Sequence, residues 1–248
     1  MAGPSKTRID HLLVERGLAE SRERAQALIL AGYVLVNGQK AAKPGHCVAV
    51  DAAIEVTERM PYVSRGGYKL AGALDHWNLD VTGKTCLDVG ASTGGFTDCL
   101  LQRGAAKVWA IDVGHGQFDW KLRNDPRVVV REGLNARELA AADFPEPFEL
   151  AVCDASFISS TLLISSMALL LTPHGEMIVL VKPQFEVERA QVGKGGIVRD
   201  PALHQAACAR VRTAVEARGF GTDIIESPIL GAEGNREFLL YARRQAID

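Results

Sequence analysis

The chain has 248 residues, 47% of them hydrophobic and 23% charged, with a formal net charge of −2 at pH 7. This composition supports a sizeable core and excludes wholesale disorder, and the charge excludes a uniformly basic, nucleic-acid-coating protein. The longest apolar run, TLLISSMALLL (residues 161–171), is too short for a bilayer span, and the opening MAGPSKTRID lacks a basic-then-apolar secretory pattern, so no membrane role is expected.

Cys47, Cys86, Cys99, Cys153 and Cys208 are scattered, odd in number and without a C-x-x-C pair. Reduced thiols in a cytoplasm are therefore expected rather than a disulfide framework. The six histidines show no metal-ligand spacing, and no metal is expected. Charge is unevenly spread. Between residues 6 and 43 seven bases face four acids, a +3 head on a −5 remainder. A polyanion partner for the head is the reading that follows.

In chain order, Thr7-x-x-Asp10 predicts a helix start, with the Thr7 hydroxyl as cap and the acid at the positive end of the helix dipole. Ile9, Leu12 and Leu13 give it one buried face, and Gly17 stops it. Ser21 caps a second helix, RERAQALILA, ending at Gly32. YVLV then runs into Asn37-Gly38, a strong hairpin signal, and CVAVDAAIEV supplies later strand material. Residues 7–57 resemble the small RNA-binding module of ribosomal protein S-four, through the first helix, Ser-Arg-x-x-Ala on the second, and G-x-V-x-V-N-G. The resemblance implies that the second helix and hairpin face RNA, through Arg8, Arg22, Arg24, Asn37 and Lys43. Spacing alone would favour Arg22 and Arg24 as solvated surface; the run of linked features favours RNA. ERMPYV suggests a linker, so the expected domains are 1–58, a linker at 59–63, and 64–248.

From residue 64 the pattern alternates. SRGGYKLAGAL predicts a short helix. KTCLDVG, KVWAIDVG, RVVVREG, FELAVCDAS and GEMIVLVKP predict strands, as do TDIIES and REFLLYARR. GGFTDCLLQRG, SSTLLISSMALLL and PALHQAACARVRTAVEARGF predict helices. Short apolar strands between amphipathic helices imply an α/β fold whose mostly parallel sheet is covered on both faces. Ligands in such sheets sit beyond the strand carboxyl ends.

LDVGASTGGFTDCLL places a glycine-rich turn between a strand and a helix, where backbone can approach a ligand closely. Its G-x-x-x-G-G differs from the dinucleotide G-x-G-x-x-G, which disfavours a nicotinamide dehydrogenase. Asp112, about 20 residues beyond the loop, can accept from ribose hydroxyls or serve as a turn residue. With Asp88, the stretch resembles the first motif of S-adenosylmethionine-dependent methyltransferases. The candidate cofactor residues are Asp88, Gly90, Ser92, Gly94, Gly95, Phe96 and Asp112. Asn135 stands where that class contacts adenine. VGKGG at 192–196 is not a phosphate loop, because it lacks the preceding glycine and the following Ser or Thr.

Asp154 and Lys182 each terminate an apolar strand, so they should border one cleft. Glu237 opens its strand and reaches that cleft only if the last strand runs antiparallel. Lys69, on the helix before the sheet, can close the group. SRGGYKL, DVGASTGGFTD, CDASFIS, VKPQFE and NREFLLYA resemble the FtsJ-type ribose methyltransferases with their Lys-Asp-Lys-Glu tetrad. With the RNA-binding head they are similar, over essentially the whole chain, to the haemolysin-A-like TlyA family of rRNA methyltransferases. The resemblance implies a Rossmann-like methyltransferase sheet with an antiparallel last strand. It also implies 2′-O-methylation of cytidine in ribosomal RNA, using S-adenosylmethionine.

That chemistry needs a hydroxyl aligned with a methyl and its proton removed. A lysine, with an ordinary pKa of about 10.4, needs burial and a second lysine nearby to act as base. Lys182 is taken as the base and Lys69 remains the alternative. Lys69 and Glu237 would then orient the ribose, and Asp154 would position Lys182. QFEVERAQVGKGGIVRDPALH reads as a flap that could order on RNA through Lys194 or Arg199. The expected partner is ribosomal RNA or a ribosomal subunit, with no DNA, and the default state is monomeric. Two other classes fit parts of the pattern. A cofactor-holding RNA-binding protein would have no use for the lysine pair, and a cytolysin would need membrane segments.

Overall fold

The computed structural model describes residues 6–41, 43–56, 61–231 and 234–244. It divides into two compact units, Met1–Arg65 and Gly66–Asp248. Residues 57–60, which include part of the expected linker, lie outside the described residues.

In the first unit β1 (Lys6–Arg8) runs into α1 (Ile9–Glu15), followed by α2 (Arg22–Leu30), β2 (Val34–Val36), β3 (Gln39–Lys40), β4 (Cys47–Ala49) and β5 (Ile54–Val56). Thr7 does not cap α1, contrary to expectation. It pairs with Val48 across the antiparallel β1–β4 ladder. The first donors of α1 are met by backbone instead: Ile9 N–H donates to His46 O at 2.9 Å and Asp10 N–H to Pro44 O at 3.3 Å. A carbonyl already at the helix end leaves a hydroxyl cap nothing to do. Ser21 does cap α2, accepting from Arg24 N–H at 3.1 Å. Asn37 (φ 50°) and Gly38 (φ 77°) turn β2 into β3 with both central residues left-handed, as a two-residue hairpin requires. CVAVDAAIEV is divided by a turn, so that β4 pairs with β1 and β5 with β2.

The second unit contains α3 (Gly66–His76), β6 (Thr85–Val89), α4 (Gly95–Gln102), β7 (Lys107–Asp112), α5 (Trp120–Arg123), β8 (Val128–Glu132) and β9 (Phe148–Cys153). It continues through α6 (Thr161–Leu170), β10 (Leu171–Val181), α7 (Pro183–Glu186), α8 (Pro201–Glu216), β11 (Phe220–Glu226) and β12 (Phe238–Arg244). The seven strands form one sheet in the order β11-β12-β10-β9-β6-β7-β8. The pairs from β10 through β8 are parallel, and β12 is antiparallel to both its neighbours.

Strand alternation sorts the core. Leu87, Val89, Ala151, Cys153, Val179 and Val181 join Ile164 and Met167 of α6 and Val211 of α8 in one buried cluster. Residues of the opposite parity, such as Leu150 and Ile178, are equally buried. On that side α3 and α4 supply Leu70, Leu74 and Leu100, and each fully buried side chain of this size contributes roughly 1.5–3 kcal/mol. The sheet is therefore covered on both faces. Its carboxyl edge is left for loops, and the strand order reverses direction between β6 and β9. A crevice at such a reversal is where open α/β sheets bind ligands.

Candidate active site

The glycine loop leaves β6 at this reversal point. Gly90 N–H and Ala91 N–H donate to Ile111 O at 2.9 and 3.1 Å, and Asp154 N–H donates to Val89 O at 3.0 Å. Gly90 (φ 78°) lies so close to the loop after β9 that a Cβ there would stand 3.0 Å from the backbone of Ala155. Gly94 (φ 94°) is similarly confined, since its Cβ would meet Leu122 at 2.6 Å and Phe118 at 3.0 Å. Ser92 adopts a left-handed φ of 49°. Its N–H donates to Asp112 Oδ2 at 2.7 Å, while Gly114 N–H donates to Asp112 Oδ1 at 2.7 Å. Asp112 thus ties two loops together and retains lone pairs for a further donor. Gly95 and Phe96 are buried at the start of α4. Asn135 is engaged in its own turn, accepting from Arg137 N–H at 3.2 Å and donating to Glu138 Oε1 at 2.6 Å.

Asp88 faces α4 because its parity on β6 is that of Cys86. It is fully buried and accepts from Thr97 Oγ1 at 2.6 Å, while its Oδ1 has no hydrogen-bond partner. Burial raises this carboxyl to about 7, with the charges of Asp154 and Asp112 adding to the effect.

Four further side chains come to the same edge. Lys182 Nζ lies 2.6 Å from Asp154 Oδ1, and Lys69 Nζ lies 2.5 Å from Glu237 Oε2. Apart from these lysines, Asp154 Oδ1 and Glu237 Oε2 have no partner. The register explains the convergence. Val181 pairs with Phe238 across the antiparallel β10–β12 ladder, so Lys182 leaves one strand beside the point where Glu237 enters the other. Lys69 reaches Glu237 from the buried face of α3, whose Gly72 packs tightly on Pro228. Gly231 makes room for Glu237, since a Cβ there would stand 2.5 Å from Oε1.

Sequence reasoning missed three side chains here. Ser156 Oγ accepts from Lys182 Nζ at 2.7 Å. Phe157 is 91% exposed with φ 65°, and its ring centre lies 5.5 Å from that of Phe185, over which Lys182 Nζ sits at 6.0 Å. Glu186 is buried and bound to Ser159 and Ser160. A large apolar residue in the short polar segment DASFIS was the available signal for Phe157. The other two depend on partners more than twenty residues away in sequence.

In the first unit, Asp10 is fully buried and accepts from Arg8 Nε at 2.9 Å, Arg8 Nη2 at 2.8 Å, Arg22 Nε at 3.1 Å and Gln26 Nε2 at 2.9 Å. Arg8 foremost holds its carboxyl far below the usual carboxylate range. The Arg8 and Arg22 side chains nevertheless remain 43% and 47% exposed. Arg24 donates to Tyr62 O at 2.8 Å, and Asn37 Oδ1 accepts from Ala53 N–H at 3.0 Å. Lys43, Lys194 and Arg199 are exposed. The segment carrying Lys194 and Arg199 is held by buried Asn235, which accepts from Val198 N–H at 3.0 Å and donates to Gly196 O at 2.9 Å.

The FtsJ-like methyltransferase family model matches residues 62–244, and the S4 domain model matches residues 7–54. The chain belongs to the FtsJ-like methyltransferase family. A curated relative from Mycobacterium tuberculosis, "16S/23S rRNA (cytidine-2'-O)-methyltransferase TlyA", is 45% identical over 97% of this chain and 91% of its own length. "Hemolysin A" of Brachyspira hyodysenteriae is 44% identical over 94% and 98%. The solved structure of a Streptococcus thermophilus protein provisionally described as a hemolysin has a TM-score of 0.77. It is 41% identical over 98% of this chain and 90% of that one. The N-methyltransferase NodS of Bradyrhizobium japonicum WM9, solved with S-adenosylhomocysteine, shares the fold alone. Its TM-score is 0.51 and its identity 16%, over 73% and 86% of the two chains.

The cofactor of this family fold is S-adenosylmethionine, and the residues present fit it. Gly90 and Gly94 keep the loop free of Cβ atoms, and Asp88 ties the strand before the loop to Thr97 of the helix after it. Asp112 can still accept from hydroxyls. Among the described residues no group of three or more His, Cys, Asp or Glu is arranged to hold a metal ion. None of their helices is long and apolar enough to cross a membrane.

Proposed function

We propose that this protein methylates the 2′-hydroxyl of a cytidine in ribosomal RNA. The carrying observation is the pair of lysine–carboxylate contacts, Lys182–Asp154 and Lys69–Glu237, at the sheet edge that also bears the glycine loop. The Mycobacterium tuberculosis relative, named for this reaction, supports the reading.

S-adenosylmethionine, held by Asp88, Gly90, Ser92, Gly94, Gly95, Phe96 and Asp112, with Asn135 at the adenine end, supplies when bound a methyl group on positively charged sulfur. The chain's own residues then have two tasks. The first is alignment: Lys69, steadied by Glu237, donates to the ribose and fixes the direction of its 2′-oxygen. The second is proton removal: Lys182 would take the hydroxyl proton while the methyl group leaves the sulfur for the oxygen. Asp154 and Ser156 hold Lys182 in place and Asp154 balances the charge that it gains. Positioned base catalysis of this kind contributes roughly 10²–10⁴-fold. Phe157 offers an exposed aromatic face beside that lysine for the target base, and such stacking is worth about 1–3 kcal/mol.

Residues 1–58 form the RNA-binding domain in this reading, joined through 59–63 to a catalytic domain at 64–248. Arg8, Arg22, Arg24, Asn37 and Lys43 contact RNA from the head, and Lys194 and Arg199 from the segment after Lys182. The protein acts as a cytoplasmic monomer on ribosomal RNA or a ribosomal subunit, and not on DNA. The deciding measurement is transfer of labelled methyl to each ribosomal subunit and to its naked RNA, beside a Lys182→Ala control. Alkali-resistant label at a ribose, absent in the control, is the expected result. Cofactor binding without transfer to any of the four would replace this reading with that of a binding protein.

A further inference from the structure

Glu186 has no place in the tetrad, yet it is one of the most deeply buried carboxylates of the second unit, at 3% exposure. It contacts no lysine or arginine through its carboxylate among the ion pairs of the described residues. Its donors are all neutral. Ser159 Oγ donates to Oε2 at 2.6 Å, and Ser160 Oγ and Ser160 N–H both donate to Oε1 at 2.7 Å. Ser160 is the N-cap residue of α6 and makes no capping bond with its own side chain, so Glu186 supplies that helix end with its acceptor. Three hydrogen bonds to an ionised acceptor are individually strong, and a buried charge without them would be costly.

The bonds join two segments that matter together. Glu186 ends α7, at whose N-cap stands Lys182. Ser159 and Ser160 end the loop that begins with Asp154 and Ser156, both of which hold Lys182 Nζ. Phe157 lies on that loop as well. The loop is thus fixed at its start by the end of β6, where Asp154 N–H donates to Val89 O, and at its far end by Glu186.

We infer that Glu186 is a positioning residue, a latch that closes the 154–160 loop onto α7 and so sets the place of Lys182. The kinetic part of this inference rests on the proposed methyl transfer; the structural part does not. With the latch open, Asp154 and Ser156 shift relative to Lys182, and a base displaced by about 1 Å loses on the order of 100-fold in rate.

The test uses the full chain in four variants: Glu186→Ala, the double Ser159→Ala/Ser160→Ala, Glu186→Gln and Arg210→Ala. The last removes a guanidinium that donates to the Glu186 backbone oxygen at 2.8 Å rather than to its carboxylate, and serves as a packing control. Two readouts are taken. One is the rate at which an amine-selective acylating reagent modifies Lys182, read by peptide mass spectrometry against Lys84 as internal reference. The other is kcat and KM for RNA methylation.

Glu186→Ala and the double serine variant are expected to expose Lys182 to acylation several-fold faster. Both should lose kcat on the order of 100-fold with a smaller change in KM. Glu186→Gln retains an acceptor for Ser160 N–H and should recover most of both, and Arg210→Ala should resemble wild type. If Glu186→Ala fails to fold, the serine variant decides alone. Wild-type acylation and kcat in the folded variants would overturn the inference, as would an equal effect from Arg210→Ala. Should Lys182 reactivity follow Glu186 while the wild type methylates no RNA, the latch stands and the proposed reaction falls.

Discussion

Lys182 and Lys69 differ in their company, and that difference is testable. Lys182 is held by a carboxylate and a hydroxyl, Lys69 by a carboxylate alone. With Lys182 as the base, Lys182→Ala should lower kcat by roughly 10²–10⁴-fold, with S-adenosylhomocysteine still bound. Lys69→Ala should lose less in kcat and more in KM for RNA. Single-turnover assays at saturating cofactor separate the two, and the reverse ranking would exchange their roles. Asp88 makes a prediction that needs no substrate. Its carboxyl is raised by burial from an ordinary 3.8 to about 7. At low pH it is protonated in both folded and unfolded chains. As pH rises through this window the unfolded chain releases its proton first, so the contribution to stability falls until about pH 7 and is flat beyond. Asp88→Asn lacks this dependence. The melting temperature of wild type relative to Asp88→Asn should therefore decline between about pH 4 and pH 7 in thermal denaturation, whereas parallel curves would refute the buried environment of Asp88.

At the scale of elements, the glycine loop is confined by its neighbours to unequal degrees. A Cβ at Gly90 meets the backbone of Ala155, one residue beyond Asp154, whereas at Gly94 it meets the ends of two side chains. Backbone cannot swing aside as a leucine methyl can, and both sites carry left-handed φ strain of about 1–2 kcal/mol. Gly90→Ala should therefore weaken S-adenosylhomocysteine binding more than Gly94→Ala, by tenfold or more in calorimetry on the scale of about 1.4 kcal/mol per decade. Equal effects would mean that the loop relaxes as a whole. The same scale shows what the sequence could reveal. Buried parallel strands are written as apolar runs, so β6 to β10 were legible in this way, and Asp154 and Lys182 stood out as polar residues ending such runs. Glu237 needed one further fact, the direction of β12, which the family resemblance provided. Thr7 misled because a hydroxyl before a helix says nothing about a distant strand competing for the same backbone. Leu171 misled similarly. The expected helix ran through it, but it pairs with Phe148 and opens β10, with an irregular register before Glu176. Ser156 and Glu186 were illegible because their meaning lies in contacts across 26 or 27 residues of chain, which no local period encodes.

At the scale of the molecule, charge and chemistry are divided between the two units. The −2 net charge conceals a head that is +3 between residues 6 and 43, while the tetrad and the glycine loop all lie beyond Arg65. The second unit also has a hydrophobic core drawn only from its own residues, Leu87 to Ala242. Residues 66–248 should consequently fold alone and bind S-adenosylhomocysteine about as well as the full chain. RNA binding should behave differently. Counterion release gives a slope of about −0.7 to −0.9 in log affinity against log salt for each phosphate neutralised. With Arg8, Arg22, Arg24 and Lys43 removed, the slope should flatten by about three, and methylation of RNA at ordinary salt should fall by orders of magnitude through KM rather than kcat. Titrations of both proteins with labelled ribosomal RNA across a salt series measure this directly. An unchanged slope for the shorter chain would assign the phosphate contacts to the second unit, leaving Lys194 and Arg199 as the first residues there to substitute.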